Sequence, residues 1–191
     1  MACLALMTTP RQQPGLQRLG DPRVFGTLIG AIGASAFVFV NRNELAAPWP
    51  LLALIAWLVA LVAHLATNLL VPRYWLPLAR KPKADFVYLA SVVAMVAIFM
   101  IGRALLPDSR QHLQVAIVVI AVGLHFLPFA KAFAEPFFAR LGATVAIQGL
   151  VGLLLGLQWH DAPAAMAVVT GLTMLLMMAA WALATRVRAP R

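Results

Sequence analysis

Cysteine is almost missing from this chain, Cys3 being the single one in 191 residues. One thiol can close no intramolecular disulfide and build no thiolate metal cluster. Acidic residues are nearly as scarce. The six are Asp21, Glu44, Asp85, Asp108, Glu135 and Asp161, each at or beyond the end of an apolar stretch. No carboxylate pair therefore lies inside such a stretch, which argues against a pump that carries protons on membrane-buried acids. A His-Glu-x-x-His zinc motif, a Gly-x-Ser-x-Gly elbow and a phosphate-cradling glycine loop are also missing. No enzyme signature, catalytic residue or metal site is predicted.

Charge of either sign is thin. Only 11% of residues are charged, whereas 63% are hydrophobic, and that charged share is roughly half the share in an ordinary soluble domain. A bilayer accepts such a composition, because a spanning helix needs about 20 mostly apolar residues to cross the hydrocarbon. The predicted fold is all-α, a polytopic bundle of six transmembrane helices at about 24–40, 49–71, 86–106, 113–130, 138–157 and 163–185. The spans group into three helical hairpins. Residues 1–23 are expected to form a disordered basic tail, because their prolines, arginines and glutamines leave too little apolar content to pack. Residues 186–191 form a second basic tail.

The formal net charge is +9, but the basic residues lie in short connections rather than along one face, so nucleic acid is not a predicted partner. They report topology instead. Twelve of the fifteen Lys and Arg fall in the two tails, the second-to-third loop and the fourth-to-fifth connection, and only Arg42, Arg103 and Arg110 lie on the other side. Positive residues stay inside, which places both termini in the cytoplasm. The predicted partners are the lipid bilayer and either a second copy of the chain or another subunit of a membrane complex.

Polar groups inside the hydrocarbon need partners or a wet cavity, since an unsatisfied one costs several kcal/mol (roughly 2–7 by reference state). His64, Thr67 and Asn68 share one face of the second span. His125 lies late in the fourth span, three residues before Pro128, which removes a backbone donor and is expected to bend the helix. Gln148 is in the fifth span. His64, Asn68, His125 and Gln148 are the candidate substrate-binding residues, and Pro128, Lys131 and Glu135 the candidate gate or helix break. Simple bridging between helices is the competing role for each histidine. Gly26 with Gly30, and Gly152 with Gly156, have the small-xxx-small spacing of close packing, which suggests the first and fifth helices as neighbours. His112 and His160 fall at the outer rim, where solvation is expected.

The run Gly123-Leu124-His125-Phe126-Leu127-Pro128-Phe129-Ala130-Lys131, in a chain of this length, resembles small uncharacterised six-span bacterial integral membrane proteins with a Gly-Leu-His-Phe-x-Pro stretch late in the fourth span. That resemblance implies a bacterial inner (plasma) membrane and assigns no mechanism. The function expected is that of a small-solute or ion transporter or channel with a polar cavity in the cytoplasmic half. The alternatives are a non-catalytic accessory membrane subunit and a b-type cytochrome with His64 and His125 as axial haem ligands. Apart from that haem, no cofactor is predicted.

Overall fold

The structure, a computed structural model, describes residues 12–13, 22–70, 73–74 and 82–184. Six long helices make up the described part: α1 Pro22–Asn41, α2 Trp49–Leu65 continued by a wide π-type turn Ala66–Leu70, α3 Ala84–Leu105, α4 Gln114–Ala132, α5 Pro136–Gly156 and α6 Ala162–Ala184. Their ends match the predicted spans to within two residues. The tails lie outside the described residues, except that Gln12–Gln13 pair antiparallel with Arg73–Tyr74 and that residues 22–23, expected to be disordered, already belong to α1.

Local chemistry explains the boundaries. Pro136 opens α5, where its missing N–H costs nothing, and the Glu135 carboxylate caps the helix by accepting the Phe137 N–H at 3.2 Å. Ala134, at φ 50, turns the chain between α4 and α5. The α4–α5 connection is thus only residues 133–135, short enough to force the two helices side by side. At the end of α1, the Asn41 amide donates to the Phe37 carbonyl at 2.8 Å and closes the last turn.

Five of the six helices, α2 to α6, are long and apolar enough to cross a membrane. Large apolar side chains face outward all round, among them Ile32, Phe86 and Leu105 at 72%, 70% and 78% exposure. Water does not tolerate such a surface, and lipid does. The protein is membrane-embedded.

Successive helices run antiparallel. Thr27 meets Asn68 across α1 and α2, Gly102 meets Ile117 across α3 and α4, Gly149 meets Ile120 across α4 and α5, and Gly152 meets Met166 across α5 and α6. The chain accordingly enters and leaves the bundle at one end. In the middle lies α6, which packs against α1, α2, α4 and α5 and is the most buried span. By contrast α3 is peripheral and rests mainly on α4.

Two packing expectations are corrected. The first and fifth helices are not close neighbours; α1 leans on α6, and α5 lies between α4 and α6. The first hairpin is also splayed, since α1 and α2 contact α6 more than each other. Of the glycine pairs, Gly30 sits against Met178, and Gly152 and Gly156 sit against Met166 and Pro163, all on α6. Gly26 has nothing within 4 Å of an added Cβ, so it packs no helix. The tightest approach is elsewhere: a Cβ on Gly123 would lie 2.3 Å from the Ala146 backbone nitrogen, and one on Gly142 would lie 2.6 Å from the Gly123 oxygen.

Candidate functional site, a cavity between helices one, three and four

A cavity of about 890 Å³ runs between α1 on one side and α3 and α4 on the other, floored by the start of α5 and the end of α6. That volume is within the ~300–1,000 Å³ range of small-molecule sites. Its lining is overwhelmingly apolar. Gly26, Gly30 and Gly33 give α1 a flat wall, while Met95, Met174 and Met178 are flexible contributors from α3 and α6. With nothing within 4 Å of a Cβ at Gly26 or Gly33, these glycines leave room rather than bring a helix close. Tyr88 on α3 and Gly33 on α1 remain exposed along the two edges, so the cavity is flanked by lipid-facing surface.

Most polar lining residues, Thr27, Asp85, Tyr88, His125 and Glu135, lie toward the end of the bundle where the chain enters and leaves, and Asn41, at the other end of α1, lines the cavity with its amide donated to the Phe37 carbonyl. His125 projects from α4 among aromatic rings, 4.1 Å from Phe126 and 5.4 Å from Phe129 between centroids. Its Nδ1 hydrogen-bonds the Val122 carbonyl. A carbonyl only accepts, so Nδ1 carries the hydrogen and Nε2 is the acceptor of the neutral ring.

The four predicted binding residues do not converge. Only His125 lines this cavity. His64 and Asn68, both 0% exposed, form a linkage of their own. The Asn68 amide donates to the His64 carbonyl at 2.9 Å and lies 3.1 Å from its Nδ1, and its oxygen accepts from Thr27 on α1 at 3.3 Å. Thr67 turns its hydroxyl back to the Ala63 and His64 carbonyls at 2.8 and 3.0 Å. These side chains satisfy carbonyls where the helix widens from an i+4 to an i+5 pattern. Gln148 donates to the Thr173 hydroxyl of α6 at 3.0 Å. A bis-histidine haem needs two imidazoles facing one cleft; His125 lines the cavity and His64 does not, so that arrangement does not fit. Among the described residues no group of three or more metal-ligating side chains occurs.

The gate residues fare differently. α4 stays helical through Pro128 and ends at Ala132, so no local opening beside His125 is seen. Lys131 and Glu135 then straddle the turn instead of sharing a helical face, with Lys131 exposed and Glu135 occupied as the α5 cap. At the opposite rim His160 is exposed, as expected, whereas His112 is half-buried; their rings stack at 4.4 Å, and His112 Nε2 lies 3.0 Å from the Gly156 carbonyl.

What the sequence reasoning missed is the aromatic wall. Phe126, Phe129 and Phe133 recur at i, i+3 and i+7, and Phe138 and Tyr88 complete the group. That spacing was visible, but in an apolar span it reads as ordinary lipid-facing content. Comparisons with protein-family models, curated proteins and solved structures give no match for this chain.

Proposed function

We propose that this protein is a six-span membrane transporter, with both termini in the cytoplasm of a bacterial inner membrane, that takes up a lipophilic small molecule in the cavity beside α1. The observation that carries this reading is the overwhelmingly apolar lining of the cavity, with most of its few polar groups toward one end. A hydrophilic solute or bare ion would lose its hydration there without replacement, so the permeant is apolar or amphipathic. His125 supports the polar end. His64, Asn68 and Gln148 serve as interhelical links, the role an accessory membrane subunit would also give them.

The test uses protein in lipid nanodiscs and the apolar fluorescent reporter N-phenylnaphthylamine. Gly33→Trp should fill the cavity and weaken reporter binding about tenfold or more. Ile32→Trp, on the lipid-facing side at 72% exposure, should leave it unchanged. Equal binding by both variants, or none by the unaltered protein, would refute the reading. Orientation is tested separately, on a Cys3→Ala background, with a membrane-impermeant maleimide applied to intact cells. Asp161→Cys should label at once, and Lys131→Cys only after lysis. The reverse pattern would invert the topology.

A further inference from the structure

We infer that the cavity selects lipophilic phenols, molecules with a hydroxyl on an aromatic ring and an apolar tail, and that the hydroxyl donates to Nε2 of His125. This deepens the reading of the cavity as a site for lipophilic molecules and rests on it.

Hydrogen-bond polarity is the first ground. Nδ1 of His125 donates to the Val122 carbonyl, so Nε2 of the neutral ring offers a lone pair and has no hydrogen to give. Among the described residues no donor reaches that nitrogen, and His125 is the one imidazole in the described lining of the cavity. An acceptor held in apolar surroundings without a partner is costly. A ligand that brings its own donor is therefore favoured over one that does not. A ketone or ether oxygen brings no hydrogen and gains nothing at this atom, whereas a phenolic hydroxyl, more acidic than an alkanol's, donates well.

The rings around His125 are the second ground. Its imidazole lies 4.1 Å from Phe126 and edge-on to Phe129 at 5.4 Å, between centroids. Tyr88 stacks on Phe129 at 5.4 Å, Phe138 meets it at 5.7 Å, and all of these line the cavity. A ligand ring bonded to Nε2 thus arrives among aromatic faces and edges, which favour another flat ring beyond the area it buries. The tail has room as well. Val122, Val118 and Val115 follow His125 back along the α4 lining, about 15 Å of apolar wall at 1.5 Å per residue.

The test measures displacement of N-phenylnaphthylamine from protein in phosphatidylcholine nanodiscs, with competitor concentrations corrected for partition into empty discs. Para-nonylphenol should displace the reporter at about tenfold lower concentration than para-nonylanisole, its methyl ether, which keeps the ring and tail and lacks the hydrogen. Dodecanol, with the hydrogen and no ring, should fall between them. His125→Phe keeps an aromatic ring and removes the acceptor, so phenol and ether should become equal while the reporter still binds. A second readout uses the unaltered fold, with isotope-labelled histidine nitrogens followed by NMR. The phenol should move one imidazole nitrogen signal in the direction of hydrogen bonding, the ether should not, and Gly33→Trp, which fills the cavity, should prevent the change. Equal displacement by phenol and ether, or a histidine spectrum unmoved by bound phenol, would overturn this inference and leave the lipophilic site standing. A preference that survives His125→Phe puts the hydroxyl on another acceptor, which also overturns it, and dodecanol matching the phenol overturns the choice of a phenol. A reporter that does not bind the unaltered protein overturns both readings.

Discussion

Gly123→Ala is expected to destabilise the bundle by about 3 kcal/mol, the upper part of the usual range for forcing extra volume into a filled interior. The added methyl would meet the Ala146 nitrogen at 2.3 Å and its Cα at 2.7 Å. Those are backbone atoms, so no side-chain rotation relieves the contact, and α4 and α5 must separate. Their separation also pulls on Gly142, whose own close contact is the Gly123 oxygen. Gly33→Ala is the control, because nothing lies within 4 Å of its Cβ. Thermal unfolding followed by tryptophan fluorescence should show a much lower midpoint for the first variant and little change for the second. Equal midpoints would mean that the α4–α5 crossing is not as close as described.

Asn68→Leu should cost about 2 kcal/mol, the sum of a few interhelical or turn hydrogen bonds at membrane values. One side chain serves the His64 carbonyl at 2.9 Å, the His64 ring at 3.1 Å and the Thr27 hydroxyl at 3.3 Å. Leucine fills a comparable volume but supplies none of them, at a site with 0% exposure. Of the three, Thr27→Val removes the longest and should cost less than Asn68→Leu. A double-mutant cycle in denaturant should then return a coupling of about 0.6 kcal/mol between the two positions. Zero coupling would show that the α1–α2 link contributes nothing, even though the atoms lie within reach.

The helices were legible because lipid demands long apolar runs, and prolines and charges punctuate those runs here: Pro48 and Pro50 around the start of α2, Pro107 after α3, Pro136 at the first position of α5. Their arrangement was not. In water, apolar periodicity marks the inward face, but both faces of a membrane helix are apolar, so only small residues betray close packing. In α6 they do so at Ala164, Ala167, Gly171, Ala179 and Ala182, all buried. That stripe was the available signal for the central helix. Attention to polar residues also misplaced the site. A buried polar group needs only one good partner, and His64, Asn68 and Gln148 found theirs on a nearby turn or the adjacent helix. Of the four, only His125 marks the cavity, and the phenylalanines around it carried no polar signal at all.

The central position of α6 has a consequence for how the protein is made. Of these six helices the ribosome delivers α6 after the other five, yet α1, the earliest of the six, finds its main support on it. Until residues 162–184 leave the exit tunnel, α1 and α2 hold little more than each other while α4 and α5 can already dock. Assembly of the six is therefore completed by α6, a keystone that closes an arch begun with α1.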